Sequence, residues 1–442
     1  MDRREFLIGG SIVWLALGAA GASDAFPGLE IYADRFVARS DFWGVIAIRR
    51  GSLQRVSCTG YSDRASGTKT SEGDCFAIGS ISKHMTSVSV LLLQKAGKLS
   101  VTDRLSTLLP ELATGEITLS HMMSHTSGIA RDFPVVTDRL TPEGAVRLAA
   151  HMKLVTGPIG QYAYSNVEYA LLSAVVERAS GMPFNQFLTT HLFEPVGMHA
   201  TGGFGAVRPP RLVTPYIPQL GRAVTAVPNS WKEAVPGAGA VYSTVGDMMR
   251  WDSALWDGRI IPADVRTALI TERVPGYGYG ISVGKRLGHT VVGHDGQMTG
   301  FVARYDHFPG ADAALVILGN VDTQAIEIMT RGLTQIAFRE NADPPDLPVL
   351  SARPVDSGVA RNYAGTYAVT PTFSFDVVAK TDGLYIPGNG KHLSALTPMV
   401  GGGFFYRELY ARVHFTGAGK EPAPELIWTD PSGATYHCKR AT

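Results

Sequence analysis

The stretch FAIGSISKHMTSVSVLLLQKAG, residues 76–97, constrains this chain more than any other. Apolar residues fall on nearly every face of the helix it predicts, so that helix belongs inside a core. Yet Lys83 stands in its first turn, three residues after Ser80. A buried ammonium is costly, and desolvation lowers a lysine pKa toward the range where the amine accepts a proton. Positions i and i+3 share a helix face, which sets Lys83 beside Ser80 and turns Ser82 elsewhere. A serine hydroxyl needs such a base within reach before it can act as a nucleophile. Ser80 follows Gly79 and opens the predicted helix, where free backbone N–H groups and the dipole favour negative charge. Taken alone, the same letters also fit a plain N-cap serine with a lysine snorkelling outward. The spacing recurs at Ser66-Gly67-Thr68-Lys69, but within the polar loop DRASGTKTSEG, where a lysine is simply solvated.

The setting for that helix is a chain of 442 residues with 45% hydrophobic and 18% charged residues, enough for a large core and more than one domain. Net charge is +1 with scattered basic residues, so no nucleic-acid footprint is present and a small-molecule or short-peptide substrate fits better. The composition does not specify an oligomeric state. Residues 1–22 place Arg3-Arg4 and Phe6-Leu7 before a short apolar run ending in Ala20-Gly21-Ala22, which resembles a bacterial twin-arginine export signal. Cleavage near Ala22 and a periplasmic or secreted product, with no stable membrane span, are expected. Cys58, Cys75 and Cys438 are too few for a disulfide framework; Cys58 and Cys75 flank one turn-rich stretch and either pair or serve as small packing residues.

Along the chain, a helical stretch at 31–40 leads into WGVIAIRRGSLQRVSCTG, a hairpin turning at Arg50-Gly51-Ser52. Helical patterns dominate from Ser80 to about Arg266, and strand patterns return at 289–296, 301–308 and 313–320 before a helix over 322–341. A chain that starts and finishes in strands around a helical middle predicts an α+β sandwich: one antiparallel sheet flanked by helices, with an all-helical subdomain beside it. Residues 23–340 form this unit. The proline-rich residues 341–357 read as a linker, and 358–442, short strands with almost no helical pattern, as a small β-barrel or β-sandwich.

Two further motifs accompany Ser80 and Lys83: Tyr164-Ser165-Asn166 just before a helix, and His294-Asp295-Gly296 on a strand. Ser-x-x-Lys, Tyr-x-Asn and Lys/His-x-Gly in this order resemble the three motifs of the serine β-lactamase and penicillin-binding family, in the branch of class C β-lactamases, D-alanyl-D-alanine carboxypeptidases, D-aminopeptidases and related esterases. ITLSHMMSHTSGI, HLFEPVGMHATGG and GAGAVYSTVGDMMRW are similar to wording of that branch, so the resemblance spans residues 28–340. YAGTYAV and TDGLYI, within 363–442, look like a lipocalin-like module. The resemblance implies that Ser80 is acylated, that Lys83 shares its proton and that Tyr164 assists as base or acid. It implies that Asn166 holds Lys83 and the substrate amide, that His294 lines the opposite wall, and that the N–H groups of Ser80 and Gln297 form an oxyanion hole.

β-Lactamases of this branch more often carry Lys-Thr-Gly where this chain has His294-Asp295-Gly296. A carboxylate facing the pocket repels β-lactams and peptide C-termini and favours neutral esters or amine-bearing substrates; strand alternation would instead turn Asp295 away. An esterase or D-amino-acid amidase or peptidase is therefore expected, with a β-lactamase or D-alanyl-D-alanine carboxypeptidase as the alternative, and a non-catalytic cell-wall-peptide or protein-binding homologue as the reading of another class. No metal or organic cofactor is implied. His121 and His125 have helical metal spacing but lack the glutamate of a His-Glu-x-x-His site. Tyr277, Tyr279, Trp231 and Phe133 are candidates for a pocket wall or for the core.

Overall fold

The computed structural model describes residues 25–134, 139–340, 342–351, 353–370, 373–387, 393–417 and 420–441. The export-signal reading of residues 1–22 lies outside them. Strands β1 (Gly44–Arg50) and β2 (Leu53–Thr59) form the expected hairpin. From residues 282–319 come β3 (Ser282–Arg286), β4 (His289–Met298), β5 (Phe301–Phe308) and β6 (Ala313–Gly319). They assemble in the order β3-β4-β5-β6-β1-β2, every neighbouring pair antiparallel. The closing pair is β1 with β6, Gly44 opposite Gly319 and Ile46 opposite Ile317. One sheet is thus built from both ends of the sequence.

The sheet is covered on both faces, and its alternation sorts residues between two cores. Val45 and Ala47 of β1 join the larger core with Met85, Leu171 and Trp251. These come from α2 (Ser82–Lys95), α3 (Asn166–Ser180) and α4 (Val245–Trp256), and α2 is the apolar helix that carries Lys83. Ile46 and Ile48 join the opposite core with Leu29 and Phe36 of α1 (Leu29–Val37) and Met329 and Leu333 of α5 (Ala325–Ala337). Each such side chain is worth about 1.5–3 kcal/mol when removed from water, so a one-residue slip of β1 would exchange both sets and is strongly disfavoured.

One expectation changes in detail. The nucleophile region does not begin as α-helix at Ser80: a 3-10 turn, Gly79–Ile81, precedes α2, with Ser82 Oγ donating to Gly79 O at 2.7 Å. Cys58, Cys75 and Cys438 are all free thiols, and burial pushes that of Cys75 up to about 11, as for a packing residue. The last 85 or so residues are almost all strand and turn, as expected, with one short helix, α6 (Ser357–Tyr363), that begins at Asp356, whose carboxylate accepts from the N–H groups of Gly358 and Val359. Eight strands between Gly365 and Arg440 then close into a barrel, the last pairing with the first at Tyr367 and Arg440. Closure removes the sheet edges, which selects the barrel over the sandwich. No helix among the described residues is long and apolar enough to cross a membrane.

The barrel is joined to the sheet region by a buried contact. Residues 407–410 connect the barrel strands Phe404–Tyr406 and Ala411–Phe415. Arg407, 1% exposed, donates from Nε to Asp41 Oδ1 at 2.8 Å and from its two terminal nitrogens to the carbonyls of Gln219, Ala223, Arg39 and Ser40. All five guanidinium N–H groups therefore have an oxygen to meet. Tyr410 Oη donates to the other oxygen of Asp41 at 3.0 Å, and Phe405 and Tyr410 pack into the core of α1 and α5.

Candidate active site

Two glycines bring the site together. Gly79 has φ +52°, and a Cβ there would stand 2.7 Å from Gln297 N and 3.0 Å from Gln297 O. A Cβ on Gly296 would meet Ile78 O at 2.0 Å. The 3-10 turn that carries Ser80 and the end of β4 thus touch backbone to backbone, a distance only glycine permits. The glycine of the third motif is explained by that contact.

Lys83 is fully buried, and its ammonium nitrogen donates to Ser80 Oγ at 3.0 Å, Asn166 Oδ1 at 2.8 Å and Ala238 O at 2.9 Å. Desolvation lowers its pKa to about 7, against the opposing pull of Asp295, Asp132 and Glu168. The amide and the peptide carbonyl can only accept. Ser80 is the partner that can also donate, so a neutral Lys83 would take its proton from Ser80. On the other side, Tyr164 Oη donates to Ser80 Oγ at 2.8 Å. Burial pushes the Tyr164 phenol well above its ordinary value, and the Ser80 hydrogen bond offsets this only in part, so the phenol holds its proton at neutral pH.

Tyr164 and Asn166 flank the start of α3. Between them Ser165 acts as the cap, its Oγ accepting from Glu168 N at 3.2 Å and donating to Ala130 O at 2.7 Å. This directs the neighbouring side chains toward Ser80 from one rigid helix end. Asn166 Nδ2 donates to Asp132 Oδ1 at 2.7 Å, which leaves Oδ1 for Lys83. Asp132 and the Ala238 carbonyl went unnoticed in the sequence: Asp132 carries no motif, while Ala238 lies in the Gly237-Ala238-Gly239 run of GAGAVYST. Behind Tyr164, the ring of His125 lies 4.3 Å away between centroids, and its Nδ1 meets Glu168. Burial lowers the pKa of His125 and raises that of Glu168, and the pair packs behind the tyrosine ring. His121 instead caps the short helix Leu119–Met123, where its Nδ1 accepts from Thr118 N at 3.2 Å.

On β4, His294 lies opposite Tyr305 and Asp295 opposite Arg304, so alternation turns the two side chains apart, yet both border the cleft at the end of the strand. His294 is buried: its Nδ1 lies 2.5 Å from Asp295 O and its Nε2 3.1 Å from Tyr277 Oη. Burial depresses its pKa, with Asp295 opposing, so it supplies no permanent positive charge. The Asp295 side chain is 60% exposed at the mouth of the site. His294 and, despite burial, Arg304 hold its carboxyl below the ordinary value. The cleft around Ser80 measures about 570 Å³ and is lined by Tyr164, Asn166, His294, Asp295 and Gln297. It also brings in Arg131, Asp132, Glu233 and Asp322, and Tyr277 joins its wall. Tyr279 instead binds Ser120, and Trp231 packs on Phe204 in the core, with Phe133 partly buried against it.

Among models of protein families, that of the β-lactamase family matches residues 30–333. Penicillin-binding protein 4* of Bacillus subtilis is 24% identical over 87% of this chain and 91% of its own. The D-alanyl-D-alanine-carboxypeptidase/endopeptidase AmpH of Escherichia coli is 30% identical over 50% of this chain and 60% of its own. Among solved structures, D-amino acid amidase of Ochrobactrum anthropi superposes with a TM-score of 0.64 at 20% identity, over 72% of this chain and 99% of that one, a likeness of fold. With the family match extending from α1 into α5 and enclosing every residue around Ser80, the chain belongs to the β-lactamase family and is a β-lactamase-related serine hydrolase.

Proposed function

We propose that the protein hydrolyses small esters or amides through an acyl-enzyme on Ser80, with a preference for substrates that carry an amine or no charge near the scissile bond. The observation that carries this reading is the pair of contacts on Ser80 Oγ: Lys83 Nζ at 3.0 Å and Tyr164 Oη at 2.8 Å. Neutral Lys83 takes the hydroxyl proton as Oγ bonds to the substrate carbonyl carbon. The carbonyl oxygen, now anionic, is met by the N–H groups of Ser80 and Gln297, two donors worth several kcal/mol in such a site. As the carbonyl re-forms, the bond to the leaving oxygen or nitrogen breaks, and Tyr164 delivers the proton that the leaving group needs. Water then attacks the ester on Ser80 and gives a proton to the Tyr164 phenolate, while the Lys83 ammonium returns its proton to Ser80 Oγ as the acyl–oxygen bond breaks and the freed acid leaves. Asn166, fixed by Asp132, keeps the Lys83 amine on Ser80.

The substrate preference rests on charge. Asp132, Glu233, Asp295 and Asp322 line the cleft, whereas His294 is neutral and Arg131 is the guanidinium at its rim. A carboxylate-bearing substrate meets repulsion from this set, and an ammonium meets attraction. Arg131, with its side chain 71% exposed, is the observation that favours the second reading, a carboxypeptidase acting on peptide C-termini. The contact between Lys83 and Ser80 supports a working enzyme over a non-catalytic binding homologue. The Arg3-Arg4 leader supports an exported enzyme.

A substrate panel tests the proposal. The expected order is an amino-acid nitrophenyl ester or anilide with a free amine first, its N-acetylated form second, and a D-alanyl-D-alanine peptide or chromogenic cephalosporin last, with Ser80→Ala inactive on all. Faster turnover of the carboxylate-bearing compounds would replace this reading by the carboxypeptidase or β-lactamase one. Undiminished activity of Ser80→Ala would remove the serine mechanism.

A further inference from the structure

A hydrogen-bonded path leads from the Ser80 cleft to the barrel. Gln297 Nε2 donates to Asp322 Oδ1 at 2.8 Å, and Gln297 Oε1 accepts from Gln324 Nε2 at 3.2 Å. Asp322 Oδ2 accepts from the N–H of Gly300, in the turn just after β4, at 3.1 Å. Both anchors belong to residues 320–324, the connection between β6 and α5. That connection is held from the other side by the barrel, because Gln324 N donates to Glu408 O at 2.8 Å. It is held again through Asp41: Thr323 Oγ1 donates to Asp41 O at 2.6 Å, and the Asp41 carboxylate is where Arg407 and Tyr410 close.

The position of Gln297 gives this path a consequence. It is the penultimate residue of β4, paired with Val302 beside the turn, so its backbone is fixed less by the sheet ladder than that of His294. Its N–H lies against Gly79 and the turn of Ser80. A donor aimed at a developing oxyanion works only when held to a fraction of an ångström, and a shift of 1 Å can cost about a hundredfold in rate. We infer that the barrel is a positioning part of the catalytic cleft: residues 407–410 clamp the 320–324 connection, which through Gln324 and Asp322 fixes Gln297 and the oxyanion donor it carries. Gln324 and Arg407 are positioning residues in this account and touch no substrate, while Asp322, at the cleft wall, acts here through Gln297. The inference rests on the acyl-enzyme reading above.

The test is a set of full-length variants assayed with a neutral nitrophenyl ester: Gln324→Leu, Gln297→Ala, their double, and Arg407→Lys with and without Gln324→Leu. Gln324→Leu removes the side-chain bond to Gln297 but leaves its backbone bond to Glu408. The expected result is a fall in kcat of about ten- to a hundredfold in each single variant, with KM unchanged and melting temperature near that of the parent for the two glutamine variants. The double variants should fall no further than the worse single one, since the residues act along one path. Unchanged kcat in Gln324→Leu or in Gln297→Ala, or losses that multiply, would overturn the inference. If Arg407→Lys fails to fold, the two glutamine variants still decide, because neither touches the buried guanidinium. Ser80→Ala run alongside separates the two readings. An active Ser80→Ala removes the serine mechanism itself, whereas an inactive one beside a fully active Gln324→Leu removes only the positioning role.

Discussion

Lys83 concentrates the chemistry in one side chain, and its titration makes the account measurable. The neutral amine is the competent form and its pKa lies at about 7, so kcat/KM should rise with pH through a limb near 7 and level off above it. Tyr164, held well above its ordinary value by burial, should add no descending limb below about pH 10. A flat profile between pH 5.5 and 8.5 would argue against Lys83 as the base. Stability gives a second reading of the same group. Its folded pKa of about 7 is below the 10.5 of an exposed lysine, so between those values the unfolded chain binds the extra proton and the parent gains stability as pH rises. Lys83→Met lacks this contribution. The difference in unfolding free energy should therefore move in the parent's favour from pH 7 to 10, by urea denaturation at each pH. Ser80, Lys83, Tyr164, Asn166 and His294 were legible in the sequence because each sits in a short motif. Asp132 was not, since a residue that orients another through space leaves no spacing to read, and Tyr277 stood out only as an aromatic for a pocket wall or the core.

At the scale of elements, the site depends on how closely β4 approaches the Ser80 turn. Gly296→Ala would place a Cβ 2.0 Å from the Ile78 carbonyl, backbone that has nowhere to go. It should lower kcat by about a hundredfold and stability by about 1–3 kcal/mol. Gly284→Ala on β3, where a Cβ meets nothing within 4 Å, is the matched control and should leave both near the parent. Equal behaviour of the two variants in a steady-state assay would show that the close approach does not matter. The sheet strands and α2 were legible because their periods of 2 and 3.6 survive in the letters. The 3-10 entry to α2 was not: Gly79 takes its left-handed φ to let two backbones meet, and that partner is more than 200 residues away. Whether Asp295 turned toward the site was equally undecided, because it depends on the register of β4 against β5.

For the whole molecule, the barrel and the sheet region are joined through Arg407. Its guanidinium has five oxygen partners across the contact, Asp41 among them. Removing one member of such a buried pair costs about 3–5 kcal/mol, because the other charge stays buried. Arg407→Met should lose stability in that range by urea denaturation. Asp41→Asn combined with it should cost less than the sum of the two changes. A loss below about 1 kcal/mol would make the contact peripheral. The sequence announced a small all-β unit after a proline-rich stretch, and it announced nothing about how that unit docks. YRELY has no signal that separates a buried arginine from a solvated one, since its partners come from residues 39–41 and 219–223.

The most direct test of the central claim is intact-mass analysis of the full-length protein during turnover of a slow nitrophenyl ester, followed by peptide mapping of any adduct. The account predicts a single acyl group on the peptide that contains Ser80, absent from Ser80→Ala and formed more slowly in Lys83→Met. Hydrolysis that proceeds with no adduct at any time, or an adduct on another residue, would contradict it.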